Sequence, residues 1–262
     1  MPRSALMTVM VRAVFAAGKG LRRDFGEVEN LQVSMKGPGD FVSAADRRAE
    51  ETLRAELERV RPGYSFLMEE SGAIAGADAD HRWIVDPLDG TTNFLHGIPH
   101  FSISVALERA GVLIAGIVYN PVTDDLFTAE RGQGAYLNDR RLRVAARKEL
   151  GASVIACGVP HTGRGDHDRF RRELTVVQAR AAGIRRFGSA ALDLAWLAAG
   201  RFDGYWERHL SAWDMAAGAL MVREAGGYVS DLAGGEKMFD RGEVVAGNEA
   251  VHRELLKTLK DA

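Results

Sequence analysis

The segment WIVDPLDGTTNF, residues 83–94, constrains the fold more than any other part of the chain. Its first three residues are apolar and predict a short buried strand, after which Asp86 and Asp89 follow three positions apart. Pro87 cannot donate a backbone hydrogen bond, so we expect the strand to end at Asp86. The chain would then finish a buried strand by placing two negative charges on one tight turn.

Two carboxylates held this close repel each other unless one is protonated or a cation lies between them. Oxygen ligands favour a hard divalent cation, Mg²⁺ before Zn²⁺. A second interpretation stays open at this point, because aspartate is a common turn residue and the pair could simply stabilise the turn.

The run Gly-Thr-Thr-Asn, residues 90–93, predicts the start of a helix or turn whose free backbone N–H groups point outward. Such a start binds phosphate readily. Metal-binding carboxylates beside an N–H cradle are what a phosphoryl-transfer site requires.

Acidic residues also occur at two other points. Glu69 and Glu70 end a short apolar run in FLMEESG, where solvent exposure would explain them. Asp214 lies in the first turn of a predicted helix with Ser211 as the candidate N-cap, where helix capping would explain it. Neither point identifies a metal site when taken alone.

The pattern along the chain mixes helices and strands. Leu6, Met10, Val14 and Leu21 share one face of a predicted first helix, and MKGPGDFVS, residues 35–43, is expected to be a loop. Further on we expect a helix beginning at Ser43, an antiparallel meander over 102–144, helices near 166–182, 189–200 and 212–225, and a last helix from about 249. Strict βαβ alternation is missing, so the predicted class is α+β with layered sheets.

Composition predicts one globular domain. The chain has 262 residues, 46% of them apolar, which is enough for a sizeable core. A composition break near 145–152 favours two packed lobes within it, about 1–148 and 149–262. The first would carry the metal and phosphate site and the second would carry substrate contacts.

Charge and cysteine content bear on partners and location. The net charge of -2 gives no electrostatic footprint for nucleic acid or an anionic membrane. Arg12 interrupts the apolar run near the start, which argues against a signal peptide, and no run approaches the ~20 apolar residues of a membrane span. Cys157 is the only cysteine, so we expect a cytoplasmic protein without disulfides.

Three stretches together resemble the signature segments of the inositol monophosphatase family, Mg²⁺-dependent and lithium-sensitive phosphatases. They are FLMEESG, WIVDPLDGTTNF and AWDMAAGALMVREAGG, and the similarity extends over nearly the whole chain. The resemblance implies a layered αβαβα sandwich, a homodimer, Mg²⁺ as cofactor and a small phosphorylated polyol as substrate.

The resemblance also implies roles for individual residues. Glu69 would bind metal and take part in catalysis, Asp86 would bridge two metals, and Leu88 would offer its backbone carbonyl to one of them. Asp89 and Asp214 would hold a second metal.

Phosphate and substrate contacts follow from the same resemblance. Gly90 and Thr91 would give backbone N–H groups to the phosphate, and the Thr91 hydroxyl paired with Asp46 would orient the attacking water. Glu207, seven residues before Asp214, would bind a substrate hydroxyl. Gly188 and Ala190 would line the substrate pocket, with Ser189 between them at a position that varies in the family.

The chain departs from the family pattern at two places. Met68 stands where relatives usually carry Gly, which leaves the backbone shape before Glu69 open. The segment that contains Lys36 is one residue shorter than usual, so Lys36 receives no role.

Other functions remain as alternatives. Sister groups act on histidinol phosphate, fructose bisphosphate, 3′-phosphoadenosine phosphates or NADP, and several carry Lys-Glu or Lys-Ser after Asp-Gly-Thr. Thr92-Asn93-Phe94 at that place favours inositol monophosphate. A regulatory or RNA-associated role is the alternative from another class, and it would not require intact metal ligands.

Several polar residues receive no catalytic role. The segment 161–168 contains four residues of metal-ligand type, His161, Asp166, His167 and Asp168, and is expected to be a solvated loop. His96 and His100 are expected near the mouth of the site, Arg208 at the solvated surface, and Cys157 in the core as a small apolar residue.

Overall fold

The computed structural model describes residues 3–27, 33–37, 40–163 and 165–262, with the backbone alone for 33–37 and 40–43. The helices are α1 Ala5–Phe25, α2 Ala44–Val60, α3 Thr91–Leu95, α4 His167–Gln178, α5 Ala190–Ala198, α6 Ala212–Glu224, α7 Met238–Arg241 and α8 Glu249–Lys260. The strands are β1 Val33–Gly37, β2 Asp40–Ser43, β3 Tyr64–Met68, β4 Gly72–Ile74, β5 Asp78–Asp89, β6 Ser102–Arg109, β7 Val112–Asn120, β8 Asp125–Glu130, β9 Gly134–Leu137, β10 Arg140–Arg141, β11 Val154–Cys157, β12 Gly183–Arg185, β13 Gly204–Arg208, β14 Tyr228–Ser230 and β15 Glu243–Gly247.

These elements form five layers. An eight-stranded sheet has the order β10-β9-β8-β7-β6-β5-β3-β4, and a five-stranded sheet has the order β12-β11-β13-β15-β14. Helices α1 and α2 pack on the outer face of the large sheet, α5 and α6 lie between the two sheets, and α4 and α8 cover the small sheet. The predicted α+β class and the αβαβα sandwich are therefore confirmed.

The central layer explains why α5 and α6 are apolar on every side. Both helices are buried over almost their whole length, because each meets a sheet or the other helix in every direction. At Gly218 an added Cβ would lie 2.5 Å from the Cβ of Leu194, so only glycine permits this approach of α6 to α5. The close packing fixes the first turn of each helix, and both first turns contribute to the site.

The boundary of β5 differs from the prediction. The strand continues through Pro87 to Asp89, and its ladder with β6 pairs Asp86 with Ser104 and Asp89 with Ser102. Two residues of β5 therefore lie between these pairs where β6 has one, and this extra residue is a β-bulge. A bulge tolerates the missing N–H of Pro87, so the proline bends the strand without ending it.

One loop prediction is also wrong. Residues 33–37 and 40–43 pair as an antiparallel hairpin, in which the ladder satisfies the backbone groups that a loop would expose, while Pro38 and Gly39 lie outside the described residues. The helix predicted near 166–182 is confirmed as α4, which begins where the Asp166 side chain accepts a hydrogen bond from the Arg169 N–H. Residues 161–163 and 165–166 ahead of it are exposed and lie outside a helix.

The remaining predicted elements are confirmed within a few residues of their ends, including the meander β6–β10 and the last helix α8. Cys157 is buried, as expected. None of the helices in the described ranges has the length and apolar content that crossing a membrane requires. The division into two lobes stays a prediction.

Candidate metal and phosphate site

Three carboxylates from two layers converge at one place. Asp86 lies in the bulge of β5, Asp89 ends that strand, and Asp214 lies in the first turn of α6. One oxygen from each carboxylate lies within 4.8 Å of the others. They line a cavity of about 360 Å³ that is open to solvent.

Asp86 is the most deeply placed of the three, with 1% of its surface exposed. Its Oδ1 accepts a hydrogen bond of 2.9 Å from the Leu88 N–H across the bulge. Burial raises the pKa of Asp86 well above its ordinary value, and the negative charges of Glu69, Asp89 and Asp214 raise it further. The charged form therefore needs a compensating cation at this point.

Asp89 is held from a second element. Its Oδ2 accepts hydrogen bonds from the Ser189 hydroxyl at 2.6 Å and from the Ala191 N–H at 2.8 Å, both at the start of α5. Burial raises the pKa of Asp89, while these hydrogen bonds oppose the rise.

Asp214 has the helix-capping role that its position in the sequence suggested. Its side chain accepts a hydrogen bond of 2.7 Å from the Ser211 N–H, and Ser211 completes a capping box. Burial raises the pKa of Asp214 well above its ordinary value, and the charge of Asp89 raises it further. Capping and a place in the carboxylate cluster are therefore compatible.

Glu69 joins this group from the end of β3. Its N–H donates to the Val85 carbonyl at 3.2 Å, and its side chain lines the cavity close enough to Asp86 to raise the pKa of that carboxyl. Met68 stays in strand register opposite Val85 and is fully buried, so the departure at this position leaves the strand intact.

Glu50 on α2 is a supporting residue that sequence reasoning missed. It is buried, and its carboxylate accepts hydrogen bonds from the Glu70 N–H at 2.9 Å and from the Ser71 hydroxyl. The turn that carries Glu69 is thereby fixed to α2. Nothing in the polar pattern of α2 distinguishes Glu50 from its exposed neighbours.

The donor set fits a hard divalent cation. Glu69, Asp86, Asp89 and Asp214 line one cavity together with Leu88. Within the described part of the chain, the group that could hold a metal consists of Asp86, Asp89 and Asp214 and contains neither sulfur nor imidazole. Oxygen ligands of this kind suit Mg²⁺, Mn²⁺ or Ca²⁺. A bound cation would offset the mutual repulsion of these carboxylates, which contributes to the raised pKa values of Asp86 and Asp214.

We expect Mg²⁺ to stabilise the protein against heat. A ligand at 100 times its Kd stabilises the folded state by about 2.7 kcal/mol, which is about 5–10 °C in Tm for a domain of this size. Thermal unfolding in EDTA and in MgCl₂, with NaCl matching the ionic strength, measures the shift. Equal Tm values across a millimolar Mg²⁺ series would contradict a metal site here.

The turn after Asp89 has the conformation that the sequence suggested. Gly90 is the N-cap of α3 with a φ of 92°, and an added Cβ would lie 3.1 Å from the Gly188 carbonyl oxygen. Gly90, Thr91 and Thr92 line the cavity, and the first N–H groups of α3 have no partner within the helix.

The Thr91 hydroxyl lies between two acceptors. It is 3.2 Å from Asp46 Oδ1 and 3.1 Å from the Leu88 carbonyl oxygen. A hydroxyl has one proton to donate, so it serves one of these acceptors at a time and keeps lone pairs available. Asp46, on α2, is 1% exposed.

Glu207 lines the same cavity from β13. The hydroxyl of buried Tyr205 donates a hydrogen bond to its carboxylate, and burial raises the pKa of Glu207 to about 8. A Cβ at Gly158 would overlap this carboxylate, so a larger residue at this position would displace Glu207. Gly188, Ser189 and Ala190 also line the cavity.

The structure corrects two surface assignments. His100 is buried, not at the mouth: its Nε2 lies 3.2 Å from Asp193 Oδ1, and burial lowers its pKa to about 4. Arg208 is mostly buried between α4 and β15, where it pairs with Glu173 at 2.8 Å and with Glu243. The burial of both side chains depends on contacts between segments that are distant in sequence, so the local sequence could not predict it.

A layered αβαβα sandwich defines a class of metal-dependent phosphatases when one cavity holds both a carboxylate cluster and a helix start with backbone N–H groups, here at Gly90 and Thr91. The model of the inositol monophosphatase family matches residues 3–262, and the chain belongs to that family. Members of the family use a divalent metal, and membership supports a phosphatase.

Relatives cover almost the whole chain. Inositol-1-monophosphatase of Mesorhizobium japonicum is 64% identical over 260 residues, 99% of this chain and 98% of the relative. Nus factor SuhB of Pseudomonas aeruginosa is 43% identical over 259 residues, 97% of this chain and 96% of the relative. The crystal structure of extragenic suppressor protein suhB from Bartonella henselae is 58% identical with a TM-score of 0.96, covering 99% of this chain and 100% of that one.

Proposed function

We propose that this protein is a Mg²⁺-dependent phosphatase that hydrolyses inositol monophosphates in the cytoplasm. One observation carries the proposal: metal-type carboxylates, the N–H turn at Gly90 and Glu207 all line one cavity of about 360 Å³. The relatives named inositol-1-monophosphatase, at 64% and 62% identity, support the choice of substrate.

The chemistry of each residue in the cavity suggests its role, either in metal binding or in phosphate binding. Glu69, Asp86, Asp89 and Asp214, with the Leu88 carbonyl, would hold Mg²⁺. Bound Mg²⁺ would neutralise phosphate oxygens and lower the pKa of a bound water. The N–H groups of Gly90 and Thr91 would hold the phosphate in place.

Thr91 and Asp46 are suited to orient the attacking water. When the Thr91 hydroxyl donates its proton to buried Asp46, its lone pairs face outward as acceptors. A water that donates to this oxygen has its own lone pair directed away from Thr91 and towards the phosphate. The pair would therefore act on the geometry of attack.

Glu207 is suited to recognise the hydroxyl-bearing part of the substrate. Tyr205 donates to its carboxylate and so fixes its orientation, and the remaining lone pairs can accept from an inositol hydroxyl. Gly188 and Ala190 offer no large side chain, which leaves room beside it for a ring.

The substrate assignment is tested by a panel of phosphate esters. Phosphate release would be measured with inositol 1-phosphate, fructose 1,6-bisphosphate, histidinol phosphate, 3′-phosphoadenosine 5′-phosphate and NADP. We expect kcat/KM for inositol 1-phosphate to exceed the others by about tenfold, which is ~1.4 kcal/mol. A higher value for any other ester would replace inositol phosphate as the proposed substrate. Inhibition by Li⁺ is expected in the same assay.

Glu207→Gln is expected to harm inositol 1-phosphate hydrolysis selectively. Above the raised pKa of Glu207, about 8, a hydrogen bond to its charged carboxylate contributes ~1.5–3 kcal/mol, so kcat/KM measured at such a pH should fall roughly 10- to 150-fold. The loss on p-nitrophenyl phosphate should be much smaller, because that ester has no ring hydroxyl. Glu51→Gln, on the exposed side of α2, serves as the matched control. Equal losses on both esters would show that Glu207 supports the metal site or the fold instead.

The relatives named Nus factor SuhB, at 40–43% identity over almost the whole chain, favour a second candidate function, association with a transcription complex. The net charge of -2 argues against direct binding of nucleic acid, so such a role would act through a protein partner. Association with such a partner would survive loss of the metal ligands, whereas phosphatase activity would not.

The family resemblance also implies a homodimer. Analytical ultracentrifugation would measure the mass of the protein in solution and so test it.

A further inference from the structure

We propose that Ser189 is a positioning residue that sets the affinity of the metal site, because it fixes one oxygen of Asp89 and leaves the other for the metal. The inference rests on the proposed function only in that the cluster of Asp86, Asp89 and Asp214 binds a divalent cation. It does not depend on which phosphate ester is the substrate.

The contact is short and fully buried. Ser189 is 1% exposed, and its hydroxyl donates to Asp89 Oδ2 at 2.6 Å. The Ala191 N–H donates to the same oxygen at 2.8 Å. Asp89 therefore accepts an N–H group that the first turn of α5 cannot satisfy within the helix.

This arrangement divides the two oxygens of one carboxylate. Oδ2 is engaged by the start of α5, so Oδ1 is the oxygen free to contact a cation beside Asp86 and Asp214. Without Ser189 the carboxylate could rotate, and part of the binding free energy would be spent on ordering it. Partners of this kind orient metal ligands and commonly change metal affinity by 10- to 100-fold.

Ser102 extends the contact by one residue. It is fully buried on β6 opposite Asp89, and its hydroxyl lies 3.4 Å from that of Ser189. The single proton of Ser189 goes to the carboxylate, so Ser102 is the donor of this longer bond. At 3.4 Å this bond is weaker than the 2.6 Å bond from Ser189 to Asp89.

The arrangement also joins the metal ligand to the pocket wall. Ser189 lies between Gly188 and Ala190, and all three line the cavity. Any displacement of this stretch by a ligand would move the donors to Asp89 as well. Metal affinity and the shape of the pocket are thereby linked through one hydroxyl.

The test measures metal binding directly. Protein stripped with a chelator would be titrated with Mn²⁺, and the electron paramagnetic resonance signal of free Mn²⁺ would give Kd. We expect Ser189→Ala to raise Kd roughly 10- to 100-fold. Ser189→Thr, which keeps the hydroxyl, should stay near the native value, and Ser102→Ala should weaken binding less than Ser189→Ala does.

Turnover provides the second measurement. In Ser189→Ala, kcat should recover at high Mg²⁺ while the Mg²⁺ concentration for half-maximal activity rises by the same factor as Kd. An Mn²⁺ Kd within about twofold of the native value, less than ~0.5 kcal/mol, would overturn the inference. Because Mn²⁺ binding needs no substrate, this failure is distinct from a failure of the inositol phosphate assignment.

Discussion

Asp86→Asn is expected to reduce the rate of phosphate release at least about 100-fold while the protein stays folded. The carboxylate would touch the metal directly, and its loss removes several kcal/mol of transition-state stabilisation at 1.36 kcal/mol per decade. Asparagine keeps the shape and an acceptor for the Leu88 N–H, which lies 2.9 Å from the carboxylate. The measurement is turnover across a Mg²⁺ titration.

The metal-free variant should be no less stable than the native protein. Burial and three neighbouring carboxyl groups raise the pKa of Asp86, so a neutral amide removes an unfavourable charge. Asp240→Asn, at an exposed position on α7, is the matched control and should behave like the native protein. Near-normal turnover of Asp86→Asn at ordinary Mg²⁺ would remove Asp86 from the metal site.

Thr91→Val is expected to lower kcat by about 100-fold or more with little change in KM. Valine keeps the branched shape but has no hydroxyl to accept from a water and donate to Asp46, which lies 3.2 Å away. Positioned groups that serve proton transfer or orientation contribute roughly 10²- to 10⁴-fold, and an effect confined to the transition state appears in kcat.

The control for Thr91 is Thr175→Val, on the exposed side of α4, where the hydroxyl donates only to the Arg171 carbonyl of its own helix. Steady-state kinetics on inositol 1-phosphate would separate kcat from KM for both variants. A rise in KM alone for Thr91→Val would make Thr91 a binding residue.

The layered fold was predictable because its elements carry strong local patterns. The meander after Ser102 alternates apolar runs with turn residues, and α6 begins at a recognisable cap, Ser211. The signature segments also indicated that Asp86, Asp89 and Asp214 belong together, although more than a hundred residues separate the first pair from Asp214.

The errors arise where contacts between distant segments decide the outcome. A proline ends most strands, but a bulge opposite β6 lets β5 continue through Pro87 to Asp89. No local sequence pattern reveals such a bulge. His100 follows the signature turn closely and still lies in the core, because α5 places Asp193 beside it. Ser189 occupies a position that varies in the family pattern, and its contact with Asp89 spans 100 residues.

The most direct test of the account is reconstitution of chelator-treated protein with Mg²⁺ on inositol 1-phosphate. Phosphate release should be absent in EDTA, return on addition of excess Mg²⁺, and fail to return in Asp86→Asn under the same conditions. Release of phosphate at the native rate in EDTA, or its full return in the Asp86→Asn variant, would contradict a catalytic metal at the cluster of Asp86, Asp89 and Asp214.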